Sequence, residues 1–567
     1  MEEHKARWYG GSSPGNRPAA TPMGARLLWR DPALWVCGEW HPEHLRTMEL
    51  GIARIAVLGP CSATRHDLTR ALMATDLAAV ARTWSGSHTV VRLAEWGRVE
   101  VLADAGAASP LYTVNTPHGT VWGSSSLALS PLAGGRVDTW WLAAFLRDRH
   151  NSARGLSAWA GVAPVPAGHL LTLDTEGGTS LSMWWRPTRR PPHEASAALR
   201  RALGEGVRVR VEGVPATSDL AGMDSTTVTL LAAQHGPITG VTAHPANVTS
   251  GGDMQYAQAL TVPNLTRAPF PLGIRHLPFT ATDVPLPATD EPAPSTAVWS
   301  MFSDQLGTFA AAGFLCHLTG DGGDNLFLRP PAHLAGLARD GHWVRMFGDA
   351  RDWARLRRRS PLPLIGAALR GDASRIGRPD LGGPKWLTAP VPRVDAPTGP
   401  HADQVLVAEL RTVARSAYAE IQLADAVGVA LHNPYFDGAV LDAVVSAPVE
   451  QRYSARRYKP MLADTFADLL PDAHRRRAAK GLMVGDFHLG LRANRRRVLG
   501  LADGRLAALG LVTPPPLRAT VHAAALGAAT TWPPLLSALA AEAWLEAVER
   551  TPGTEWTQTT PTPPGAL

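Results

Sequence analysis

The sequence predicts an α/β protein with at least two cores, and three observations carry that reading. The chain has 567 residues, 45% hydrophobic and 18% charged, a globular composition spread over more length than one core organises. Its first third is a series of short extended runs cut by Gly and Pro, the pattern of short strands. From about residue 194, helical stretches alternate with short apolar runs, as in a parallel sheet covered by helices.

In chain order, residues 99–103, 111–114 and 120–123 read as strands, and 161–173 as a turn feeding another. Residues 184–187 and the Arg/Pro-rich stretch after them read as a linker. Helices are expected over 196–203 and 226–234, strands over 238–242 and 314–319, and a mostly helical region over 400–550. Residues 552–567 are rich in Pro and Thr and read as a frayed tail. The expected division is a domain over 1–187, a second over 194–550, and a flexible tail over 551–567.

The net charge of +6 is Arg-rich and dispersed. Its densest runs, 355–359 and 475–477, read as solvated helix faces, and no nucleic-acid partner is expected. Three cysteines, Cys37, Cys61 and Cys316, lack CxxC spacing, which argues against a disulfide framework or a zinc site and suits a reducing, cytoplasmic setting. The first residues, MEEHKARWYGG, carry no apolar h-region, and no run of about 20 apolar residues exists, so neither a signal peptide nor a membrane span is expected.

Two loops carry the chemistry. The first, TSDLAGMDSTT at 217–227, follows a strand and opens a helix. Small residues at Ala221 and Gly222 admit a ligand close to the backbone, and the new helix offers unpaired N–H groups to an anion. Asp224 would repel a phosphate unless Mg²⁺ stood between them. The second, LTGDGGDNLF at 318–327, holds three glycines and two aspartates in five residues, more than a turn requires. At the carboxyl end of a neighbouring strand it would face the first loop, where ligands bind in open α/β sheets. Asp224 and Asp324 are then the candidate metal ligands.

These loops resemble the paired SGGxDS and SGEGxDE motifs of the class B asparagine synthetase superfamily. PYFDGAVLD at 434–442, YKPML at 458–462 and RAAKG at 477–481 resemble further blocks of it. Residues 104–129 and 161–173 resemble its N-terminal glutaminase-like domain. The resemblance implies an Ntn-type β-sandwich with helices, followed by an adenine-nucleotide α-hydrolase-like (PP-loop) domain with a parallel sheet and a helical C-terminal part. It implies ATP and Mg²⁺, with AMP and pyrophosphate released. The superfamily's glutaminases use a cysteine directly after the initiator methionine. Here Glu2 stands there, so glutamine is not the expected nitrogen source. SDLAGMDST at 218–226, LTGDGGD at 318–324 and LAALGLV at 506–512 look most like the lasso-peptide cyclases, which close a macrolactam between an Asp or Glu side chain and a peptide's N-terminal amine. That resemblance implies a leaderless precursor peptide as substrate, and a leader peptidase and a leader-binding protein as partners. A β-lactam-type small-molecule ligase and a non-catalytic peptide-binding scaffold are the alternatives. The basic stretch 330–400, with Trp343, Trp353 and Trp386, would suit a peptide surface.

By the same resemblance, Ser218, Asp219, Leu220, Ala221, Gly222, Met223, Asp224 and Ser225 form the nucleotide loop. Leu220 and Ala221 stand where the synthetases have Ser and Gly, and Ser218 is the candidate to supply the missing hydroxyl. Val241 and Thr242 would flank adenine through their backbone, and Gly320 would approach the nucleotide. Lys480 and Lys459 resemble the lysines that contact phosphates. Asp321 is the candidate general base, with Glu420 as second choice and partner in a dyad.

Overall fold

The computed structural model describes residues 6–15, 20–94, 97–149, 155–248, 250–328, 331–371, 373, 376, 383–388, 402–477 and 484–558. Two six-stranded sheets, antiparallel throughout, form the N-terminal domain. One runs Ala163–Val165, Leu111–Thr116, Gly119–Gly123, Trp8–Ser12, Ala33–Cys37, Arg26–Arg30; the other Thr179–Met183, His169–Leu173, Val99–Leu102, Thr89–Leu93, Ala53–Leu58, Leu45–Leu50. Their strands are apolar on both faces because both faces are covered. Ala56, Leu58, Val91 and Val101 point at the other sheet, while Ile55, Val57, Val90 and Leu102 pack on the helices Arg65–Met73 and Leu77–Ala81. The outer face of the first sheet, with Trp8, Trp35 and Tyr112, is covered by Thr139–Arg147 and by C-terminal helices including Trp532–Arg550. The domain is thus a four-layer sandwich whose fourth layer is partly lent by the C-terminal domain.

The second domain is built on a five-stranded parallel sheet in the order Leu265–Leu272, Ile238–Pro245, Ala216–Asp219, Cys316–Leu318, Ala430–His432. The helix Pro192–Val211 covers one face. Ala195, Ala198, Leu199, Ala202, Leu203, Gly206, Val207, Arg210 and Val211 form its buried stripe at helical spacing. Met223–Ala233 and Gly438–Ser446 join it there, and Trp299–Ala311 lies on the opposite face with the end of Ala402–Asp425. The chain winds outward in both directions from Ala216–Asp219 and Cys316–Leu318, so the order reverses between them. The loops that follow these two strands diverge and leave a crevice at their carboxyl ends.

The expected strands and helices fall on elements of the expected type. The tail is a correction: Trp556–Gln558 forms a strand against Ala20–Pro22, and Trp556 packs on Trp8 and Trp35. The packing of this partly buried indole outweighs the Pro- and Thr-rich composition around it. The tryptophans expected on a peptide surface divide: Trp343 is exposed, whereas Trp353 and Trp386 are buried. Among the described residues, no helix is long and apolar enough to cross a membrane.

Candidate active site

The first loop leaves the strand Ala216–Asp219 at the switch point. Leu220, the departure from the family motif, is a core residue. Its side chain fills the space over Gly240, where a Cβ would stand 2.8 Å from Leu220 Cδ2. Its N–H donates to Val241 O at 2.7 Å, and its carbonyl accepts from Thr242 Oγ1 at 2.6 Å. Leu220, Val241 and Thr242 are therefore tied to one another. Met223 is buried in the main core as well. Ser218 does not replace the missing hydroxyl: it is fully buried and accepts from Thr229 Oγ1 at 2.9 Å, because its position in the strand faces the helix behind. Asp219 stays partly exposed, with His317 Nε2 3.3 Å from its carboxylate.

The loop is shaped from within. Ser225 Oγ accepts from Ala221 N at 3.2 Å and donates to Gly222 O at 3.3 Å. The following helix, Met223–Ala233, has Gly222 at its N-cap and no side-chain cap, which leaves its first N–H groups for an anion.

The second loop lies against the first. A Cβ on Gly320 would stand 2.7 Å from Ser225 N, and one on Gly323 would stand 2.4 Å from Asp224 Cγ. Contact between the loops accounts for these two glycines. Behind them, Tyr435, from the PYFD segment, donates from its hydroxyl to Asp224 O at 3.1 Å.

Asp224 and Asp324 converge on one atom: Lys459 Nζ donates to both carboxylates. Lys459 is 1% exposed. Burial alone would lower its pKa, but Asp224 and Asp324 outweigh it and hold the ammonium above its usual value. Its backbone is left-handed, at φ 43°, directly before Pro460, a conformation that persists only where the surroundings enforce it. The donor set fits Mg²⁺. Two carboxylates from two loops reach one cationic centre, and both supply hard oxygen ligands. Among the described residues no cluster of three or more metal-ligating side chains exists, so phosphate and water oxygens would complete the shell, as is usual for this ion.

A second carboxylate pair behaves differently. Glu420, on the helix Ala402–Asp425, is pushed well above the ordinary range by burial and then by the charge of Asp321, with Ser295 and Arg149 opposing. Arg149, from the N-terminal domain, loses pKa to burial and regains part of it from Glu420.

Sequence reasoning missed two contributors. Arg477 falls in a run expected to be a solvated helix face, but its Nη1 donates to Ala221 O at 2.8 Å, its guanidinium pairs with Asp253, and it lies over Tyr256 at 4.3 Å. Arg210 and Asp437 form a buried bidentate pair at 2.6 and 2.8 Å, joined by Ser87 of the N-terminal domain. Asp437 follows Tyr435 by two residues, so this pair fixes the segment that steadies Asp224. An arginine on the apolar stripe of its helix was the available signal. Lys480 lies outside the described residues, as does Glu2. The thiols of Cys61 and Cys316 are buried and pushed up to about 12, so neither is a ready nucleophile.

A parallel sheet with an uncapped helix N-terminus and paired acidic loops at its switch point, set behind an antiparallel β-sandwich, is the arrangement of an adenine-nucleotide α-hydrolase-like domain. Residues 198–546, more than half of the chain, match the family model of asparagine synthase, and the chain belongs to that family. Its members are ATP-dependent, AMP-forming carbon–nitrogen ligases. No curated protein matches the sequence. Among solved structures, glutamine phosphoribosylpyrophosphate amidotransferase from B. subtilis, complexed with ADP and GMP, is 9% identical with a TM-score of 0.22. A structure described as the allosteric regulatory enzyme of purine biosynthesis gives the same figures. The match covers 38% of this chain and 55% of each of theirs, a likeness too distant to argue from.

Proposed function

We propose that this protein forms a macrolactam in a linear precursor peptide, activating an Asp or Glu side chain with ATP and condensing it with the peptide's own N-terminal amine. The observation that carries this reading is the pairing of two carboxylate sets in one crevice, one balanced by a lysine and one holding a raised acid. The choice of a peptide rests on the resemblance of residues 218–226, 318–324 and 506–512 to the lasso cyclases.

In this reading the acceptor carboxylate attacks the α-phosphate of ATP, and pyrophosphate leaves. The peptide amine then attacks the acyl-adenylate carbonyl, AMP leaves, and one proton must be accepted. Asp224 and Asp324 would hold Mg²⁺, which neutralises charge on the phosphates. The N–H groups opening the helix Met223–Ala233 face the anion, and Arg477 keeps Ala221 in place below it. Lys459 supplies positive charge to the departing pyrophosphate, and Lys480 is assigned the same task by its motif. Asp321 accepts the amine proton, with Glu420 as its coupled neighbour. A peptide α-amine, with a pKa of about 7.7–8.0, is partly protonated at neutral pH, and its proton needs an acceptor as it attacks.

The test is ATP–pyrophosphate exchange with a panel of carboxylates, a linear leaderless peptide among them, followed by mass spectrometry. Exchange that requires the peptide and Mg²⁺, with a product lighter by one water and AMP released, is expected. Exchange driven only by small acids would favour a β-lactam-type ligase, and peptide binding without exchange would favour a scaffold.

A further inference from the structure

We propose that, in the nucleotide-free protein, the Lys459 ammonium fills the place of a divalent cation between Asp224 and Asp324, so that the crevice takes its metal only together with a polyphosphate. The inference rests on the nucleotide reading above and adds an order of binding to it.

The geometry carries it. Lys459 Nζ bonds both carboxylates, so a metal bridging the same oxygens would meet the ammonium at contact distance. Like charges at that separation repel strongly in a partly buried site. The ammonium has no easy retreat. The side chain is 1% exposed, the backbone at φ 43° is fixed between Tyr458 and Pro460, and the Tyr458 ring, with its centroid 5.2 Å from Nζ, closes one side. Moving a buried cation away from its anions without a new acceptor is costly. A bare divalent ion brings no acceptor. A nucleotide brings phosphate oxygens, which take the ammonium as the metal takes the carboxylates. The ammonium then keeps anionic acceptors throughout: two carboxylates before binding, and phosphate oxygens afterwards, when the metal takes the carboxylates. A lysine held in a left-handed backbone between two carboxylates is more than a phosphate contact. It is a resident counter-ion that keeps two acidic loops together when no substrate is present.

The test uses the full-length protein and Mn²⁺ as probe, read by electron paramagnetic resonance without nucleotide. The wild type is expected to bind Mn²⁺ weakly, and Lys459→Met at least ten-fold more tightly. Equal affinities in the two proteins would overturn the proposal. Should Lys459→Met fail to fold, thermal melting of the wild type decides: Mg²⁺ alone is expected to leave Tm unchanged and Mg²⁺ with ATP to raise it. A rise with Mg²⁺ alone as large as with both would overturn the proposal while leaving the nucleotide reading intact. No rise with Mg²⁺ and ATP together would overturn both.

Discussion

Two pairs of carboxylates stand at the switch point, and the fold treats them in opposite ways. Asp224 and Asp324 share the Lys459 ammonium, which favours their charged forms. Glu420 lies in the field of Asp321 and is raised, first by burial and then by that like charge. The difference lies in what surrounds each pair. One receives a lysine from a strained helix start. The other receives burial and a like charge, opposed by Ser295 and Arg149. Carboxylates beside a cation suit a metal, and a carboxyl raised as Glu420 is, beside a second carboxylate, suits the handling of a proton. In the proposed reaction the first pair serves adenylation and the second serves condensation.

Breaking the first pair should have the largest effect. Asp224→Ala or Asp324→Ala is expected to lower ATP–pyrophosphate exchange by at least about 10³-fold, since metal-held charge stabilisation amounts to several kcal/mol. Near-normal exchange by either variant would remove the metal assignment.

Next comes the buried ion pair behind Asp224. Arg210→Met leaves Asp437 buried beside Ser87 without its cation, and unfolding in denaturant should show a loss of about 3–5 kcal/mol. Ser87→Ala removes one hydrogen bond of the same network and should cost about 1 kcal/mol. Equal losses in the two would mean that the ion pair is not the main element.

Glu420→Gln sharpens the comparison through pH. Glu420 has a raised folded pKa, so the folded state keeps a proton that the unfolded chain releases at about 4.3. Stability is therefore lost as pH rises from there through the folded pKa. The variant should lack that slope. It should leave condensation at neutral pH nearly unchanged, where Glu420 is already protonated, and remove the change of rate that accompanies ionisation of Glu420 at higher pH. An unchanged pH profile would detach Glu420 from the reaction.

The strand ends and their loops were legible because composition alone marks them. Three glycines and two aspartates cannot serve a bare turn, and the structure uses Gly320 and Gly323 to press one loop onto the other. Leu220 was not legible as a core residue, since what admits it is Gly240 on the next strand. Arg477 reads as surface in a basic run, yet it reaches back 256 residues to Ala221. Ser218 sits in the right motif but on the buried side of its strand, and a shift of one residue reverses the face. Trp556 was hidden by its Pro- and Thr-rich neighbours. Local patterns show which element a residue belongs to; these long-range partners decide what its side chain does.

The central claim is that the two carboxylate pairs divide the two chemical steps. Asp321→Asn, assayed on one linear peptide for both exchange and ring closure, tests it most directly. The account predicts exchange close to that of the wild type, with ring closure slowed by roughly 10²–10⁴-fold, the usual result of losing a general base. If exchange and ring closure fall together, Asp321 serves the metal site and the division of labour is contradicted.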